Sequence, residues 1–340
     1  MSVKASPKSH SKFSLKTIPL IIAMGLSMPV ASSYAADLGT PDVDDIEYPE
    51  DEAPSKLEVT LGKTLFFDPR LSLNQVQSCA SCHNPDLGFG DGMAGGIGTM
   101  GGNLGRNTPH IYNLAWSTAM FWDGRMDTLE QQALGPIEAA GEMNMPLNQL
   151  LPRLKAVPYY TKTFKKVYGS EGLTKENLGR ALASFERTIV SDNSPFDRYI
   201  AGDKAAMSPA AIRGLELFKN KANCIDCHDG VNFTDDSFHN IGIGDKDPGR
   251  AAISGEKSMT GAFKTTGLRN TLLTAPYMHD GSSASLEEVV QHYNKGGNPD
   301  KHLDKLIKPL GLSTSEVFDL VAFMGALTDP VVIERPTIPK

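Results

Sequence analysis

The sequence predicts a mostly α-helical protein built from two similar halves. Three observations carry that prediction. Apolar residues recur at helical spacing through most of the chain, and no convincing alternating strand goes beyond short pieces. A faint internal repeat places Gly62, Leu65 and Phe66 ahead of one cysteine pair, and Gly214, Leu217 and Phe218 ahead of the other. All four cysteines fall into two copies of one motif, C-x-x-C-H, one copy per half.

The elements follow in order. Residues 1–35 carry Lys4, Lys8, Lys12 and Lys16, then the apolar run Ile18 to Val30, then small residues at Ser33 and Ala35. That pattern reads as a secretory signal cleaved near Ala35, and the run is too short to span a bilayer. The expected location is the periplasm, with no membrane span after signal removal. Residues 37–54 are acidic and contain proline, which predicts a mobile lead. Helices are expected at 55–66, 127–140, 147–155, 159–168, 174–190, 208–219, 285–294 and 313–327. Ser208-Pro209 supplies an N-cap and first-turn proline, and Ser313 with Glu316 fits a capping box. Residues 84–110 are dense in Gly, Asn and Pro and read as a long loop of the functional kind. Residues 229–262 are loop-rich, and 191–199 read as a turn joining the halves. The expected domains are 36–200 and 201–333.

The 340-residue chain carries a net charge of −7. Beyond residue 35, 29 basic residues face 40 acidic ones, giving −11. That balance argues against nucleic acid and anionic membrane as partners.

The motifs Cys79-Ala80-Ser81-Cys82-His83 and Cys224-Ile225-Asp226-Cys227-His228 carry the chemistry. Two thiols at this spacing attach one porphyrin, and the adjacent histidine lies beneath the iron. A zinc site made from two cysteine pairs would not require a histidine after both. A redox disulfide would sit in a βαβ context that the sequence lacks. The reading is two covalent c-type haems, with His83 and His228 as proximal ligands, on two cytochrome-c-like domains.

With these motifs go LFFDPRLS at 65–72, FWDGR at 121–125, PFDRY at 195–199 and LRN-x-x-LTAPYMHDG at 268–281. On these residues the chain resembles the bacterial di-haem cytochrome c peroxidases and, within them, MauG- or MbnH-like members. The resemblance implies that hydrogen peroxide reacts at the first haem, that the second is six-coordinate, and that Trp122 relays charge between them. It implies a peroxide pocket containing Gln132 and Glu142, where a confined carboxylate can move a proton between peroxide oxygens. It also implies a structural calcium held by Asn107, Thr274 and Pro276, with oxygen donors suited to a hard cation.

Two positions depart from the common peroxidase pattern. Many of those enzymes have a capping histidine where Thr99 stands here, followed by Met100, whose thioether is the remaining candidate cap. They carry methionine 14 positions after the residue matching His279, where this chain has Tyr293. A thioether raises a haem potential, whereas an anionic phenolate favours the oxidised metal. His292 is the neighbouring alternative ligand. Together these departures imply an enzyme that reacts with peroxide without prior reduction and stores oxidising equivalents over both haems. Its substrate would be tryptophan or tyrosine side chains of a partner protein. The alternatives are a peroxide-scavenging peroxidase fed by a small cytochrome c or cupredoxin, and a di-haem electron carrier.

Overall fold

Helix ends are set by local chemistry. In the computed structural model, which describes residues 38–49, 52–244 and 246–340, most helices begin at a hydroxyl that accepts a backbone N–H. Ser55 caps α1 (Lys56–Phe66) through the Glu58 amide. A single turn, α2 (Cys79–Cys82), follows. Thr128 caps α3 (Leu129–Glu138). Then come α4 (Leu147–Lys155), α5 (Pro158–Tyr168) and α6 (Lys175–Glu186), the last capped by Thr174. α7 (Pro195–Ile200) lies where the sequence predicts a turn. Ser194 and Asp197 close a capping box there, and Pro195 presets the first turn, which makes PFDRY helical. Ser208 caps α8 (Pro209–Lys219). The loop-rich region holds only β1 (Phe238–His239), the short α9 (Ala251–Ser254) and β2 (Phe263–Lys264), with β1 and β2 paired antiparallel. Ser285 caps α10 (Leu286–Asn294), and Ser313 caps α11 (Thr314–Gly325) through the expected box with Glu316.

Two hydrophobic clusters organise these elements. One runs from Leu61 to Ile189, and the other from Phe196 to Leu327. The change from one core to the other therefore falls between Ile189 and Phe196. Ala36–Lys340 nevertheless form one compact unit. The chain crosses between the clusters at both ends. Leu38 packs against the second, while Val331 and Ile333 pack against the first.

The clusters are built alike. In the first, α1 crosses α6 at Gly62, where an added Cβ would lie 1.7 Å from the Ala181 carbonyl oxygen. In the second, α8 crosses α11 at Gly214, where the corresponding distance to the Asp319 oxygen is 1.9 Å. Only glycine allows helix backbones to approach so closely. Backbone angles repeat too. Asn113, Phe121 and Gly124 have φ of 57°, 68° and 63°, and Asn270, Met278 and Gly281 have 60°, 71° and 68°. The segments preceding α3 and α10 thus share one chain path.

The expected mobile lead is corrected in part. Arg269 donates to the Gly39 carbonyl, and the Thr40 hydroxyl donates to Asp197, so residues 38–40 are anchored. The expected signal at 1–35 lies outside the described residues. No helix among the described residues is long and apolar enough to cross a membrane.

Candidate functional site

Each C-x-x-C-H motif forms a tight turn that closes on its own histidine. The amides of His83 and His228 each donate to the first cysteine's carbonyl, Cys79 or Cys224, at 2.8 Å. The imidazoles are then held by the chain that follows. His83 Nδ1 lies 3.2 Å from the Phe89 carbonyl, and His228 Nδ1 lies 2.9 Å from that of Phe233. Those carbonyls are presented by phenylalanines with left-handed backbone, φ 59° and 58°, whose side chains are fully buried. An Nδ1–H committed to a carbonyl leaves Nε2 with the lone pair a metal requires. Burial lowers both histidines, keeping the imidazoles neutral, and outweighs the hydrogen bonds to Phe89 and Phe233 that act in the opposite sense.

Both histidines border cavities. Cys79, Cys82 and His83 line one of about 540 Å³. Cys224, Cys227 and His228 line one of about 220 Å³. Burial raises the thiols of Cys79, Cys82 and Cys224, to about 11 for Cys82 and about 12 for Cys224, so these three rest as neutral S–H groups. Paired thiols beside an anchored neutral imidazole fit a covalently attached haem in each cavity.

The first cavity brings together Gln132 of α3, Glu142 and Trp122. Burial raises the Glu142 carboxyl, with Arg125 pulling the other way. Arg125 stacks over Phe121 at 3.5 Å and reaches Asp123 at 2.9 Å. The Thr99 hydroxyl donates to Gln77 at 2.7 Å, and its amide donates to the Glu142 carbonyl at 2.7 Å. Met100 is 69 % exposed, and neither it nor Thr99 lines the cavity.

The second cavity is lined by Tyr293, while the His292 ring meets the Ile241 carbonyl at 2.8 Å and is not part of the lining. Burial pushes the Tyr293 phenol up, with Cys224 and Cys227 adding to the effect. Phenolate character there would need a compensating positive charge. Asn107, Thr274 and Pro276 line the same cavity. Asn107 donates Nδ2–H to the Met93 carbonyl, which leaves its Oδ1 as an acceptor.

Trp122 lines both cavities. Its indole N–H donates to the Asn107 carbonyl at 2.8 Å, and its ring meets His279 edge-on at 6.3 Å. His279 in turn stacks on Phe263 at 3.5 Å. Three participants do not stand out in the sequence. Lys264 lines both cavities and pairs with Asp236 at 2.8 Å. Arg106 joins Asp123 and Asp247, both at 2.7 Å. Glu186 lines the first cavity. A sequence signal for Glu186 exists, because it adjoins Phe185 on the face that also carries Leu178 and Leu182.

Comparisons with known proteins agree with this geometry. Residues 56–205 match the family model described as di-haem cytochrome c peroxidase. The chain is 46 % identical over 299 residues to methylamine utilization protein MauG of Methylorubrum extorquens, covering 86 % of this chain and 85 % of that one. It is 36 % identical to cytochrome c551 peroxidase of Nitrosomonas europaea, covering 82 % of each. Among solved structures, a MauG-like protein associated with microbial copper homeostasis superposes with a TM-score of 0.78 at 31 % identity, over 90 % of this chain and 96 % of that one. Paired thiols, anchored imidazoles and these relatives lead to one conclusion: the chain belongs to the di-haem cytochrome c peroxidase and MauG family of haem oxidoreductases, whose members carry two c-type haems.

Proposed function

We propose that this chain is a MauG-like di-haem peroxidase of the periplasm, with cytochrome-c-like haem domains at 36–200 and 201–333. It takes hydrogen peroxide at the first haem, holds oxidising equivalents over both, and oxidises tryptophan or tyrosine side chains of a partner protein. The observation that carries the reading is the contrast between the two cavities. Tyr293 lines the second cavity, while Met100 points into solvent away from the first.

Cys79, Cys82 and His83 would hold one haem, and Cys224, Cys227, His228 and Tyr293 would hold the other. When bound, haem supplies the redox-active iron at which peroxide is reduced. Gln132 orients peroxide by hydrogen bonding. Glu142, raised by burial, takes a proton from one peroxide oxygen and returns it to the leaving one. The Tyr293 oxygen, once ionised, stabilises the oxidised metal and disfavours its reduction. Trp122 offers an easily oxidised ring between the cavities, oriented by its bond to Asn107. Asn107, Thr274 and Pro276 hold a calcium ion through amide and carbonyl oxygens, with water completing the shell.

The test is one rapid mix. One equivalent of hydrogen peroxide is added to the diferric protein without reductant, and optical and EPR spectra are recorded. Immediate loss of both ferric signals is expected. No reaction until an electron has been supplied would overturn the proposal in favour of a reductively activated peroxidase fed by a small cytochrome c or cupredoxin.

A further inference from the structure

Glu186, the last residue of α6, is only 5 % exposed and lines the first cavity. Its Oε2 is buried without a hydrogen-bond partner among the described residues. The neighbouring charges are engaged elsewhere. Arg187 bonds Glu130 of α3 at 2.6 Å. Glu58 of α1 accepts from Ser184 and Tyr168. Glu138 of α3 faces Lys175 at the opposite end of α6. The lysines of α1 are Lys56, exposed, and Lys63, half-buried. From α2 the nearest titratable group is Cys79, which becomes an uncharged thioether once haem is attached. Glu142 borders the same cavity.

An ionised carboxylate with an unpaired buried oxygen is costly. Burial therefore raises Glu186, to about 8, against the pull of Arg187 and with a push from Glu130. Such a group responds to a change of charge in the cavity it lines, because Coulomb energy falls only as 1/(εr) and buried charges are screened less than exposed ones.

We propose that Glu186 is the proton-exchanging carboxyl of the first haem cavity, neutral beside the reduced cofactor and giving up its proton as the cofactor loses an electron. The balance is one electron out and one proton out. The carboxyl O–H breaks, the proton passes to water, and the carboxylate left behind offsets the positive charge gained by the cofactor. In the titration described below the electron leaves to the electrode, and re-reduction at the electrode reverses both steps. This deepens the reading above and rests on it only for the presence of haem in the first cavity.

The test is a spectroelectrochemical titration of the first haem in the holoenzyme, from about pH 6 to about pH 9, spanning the range in which a raised carboxyl titrates. The proton should bind at least tenfold more weakly in the ferric state than in the ferrous state. The wild-type potential should then fall with rising pH by about 59 mV for each tenfold difference. Glu186→Gln should abolish that fall with both haems still attached, and Glu142→Gln should retain it. A pH-independent wild-type potential would overturn the proposal without recourse to any variant, as would an unchanged slope in Glu186→Gln. Redox-difference infrared spectra of the wild type should show a protonated carboxyl band lost on oxidation, and the band should be absent from Glu186→Gln. The titration uses neither peroxide nor a partner protein, so its failure is distinct from failure of the proposed function.

Discussion

Glu142 and Trp122 share a cavity but answer to different experiments. In the proposed function Glu142 transfers the proton between peroxide oxygens, so Glu142→Gln should slow peroxide cleavage by roughly 10²–10⁴-fold with haem loading unchanged, as stopped-flow mixing would show. An unchanged rate would leave it a bystander. Trp122 holds its orientation through one bond to Asn107. Trp122→Phe keeps an aromatic ring but removes the N–H and the easily oxidised indole. Charge transfer between the haems should slow while both ligand sets keep their spectra, and equal transfer rates would remove the relay role. Tyr293→Phe should keep both haems attached yet lose the long-lived two-haem oxidised state, because phenylalanine offers the metal no oxygen. Retention of that state would show that the storage argument is wrong.

At the scale of elements, the two helix crossings carry the clearest test. A methyl at Gly62 or Gly214 would meet a backbone carbonyl, which cannot swing aside as a side chain can. Gly62→Ala and Gly214→Ala should each cost at least the ~1–3 kcal/mol typical of overpacking, measured as a lowered denaturation midpoint. A null effect would mean that α1 and α6, or α8 and α11, do not cross in backbone contact. The haem turns show a second economy of form. Phe89 and Phe233 accept a left-handed backbone to aim their carbonyls, and full burial of both rings holds them there.

Across the whole molecule, one buried pair ties distant segments together. Arg269 meets both oxygens of Asp197 at 2.9 Å and also donates to the Gly39 and Val231 carbonyls. Arg269→Ala should cost about 3–5 kcal/mol, because it strands a buried carboxylate. Burial alone would raise Asp197, but Arg269, Ser194 and Thr40 outweigh it and hold the carboxyl below its usual range. A carboxyl lowered on folding stabilises the protein above the unfolded-state value near 3.8, and that stability is lost as pH falls through the folded-state value. Acid unfolding should therefore begin at higher pH in Arg269→Ala than in wild type. Chelation of calcium should likewise lower the denaturation midpoint and slow transfer between haems if Asn107, Thr274 and Pro276 hold the ion. Indifference to chelator would count against that ligand set.

Much of the fold and of the haem sites is legible in the sequence because the chemistry is local. A cysteine pair and the next histidine lie within one turn, so C-x-x-C-H states its own geometry. Ser208 and Ser313 mark helix starts because a cap reaches only three residues. The helix at 195–200 reads as a turn in the sequence because Pro195 punctuates turns and first helical turns alike. Other features depend on groups far apart in the chain. Residues 38–40 look like a loose lead until Arg269, some 230 residues on, bonds Gly39. The family resemblance makes Met100 a candidate iron ligand, and only the fold turns it to solvent. Glu186 lies beside the apolar stripe of its helix in the sequence, but only the packing of α6 buries its Oε2 with no hydrogen-bond partner among the described residues. Sequence alone determined which groups this protein has for haem. Burial decided which of them line the two cavities and in what protonation state, since burial is a property of the packed whole.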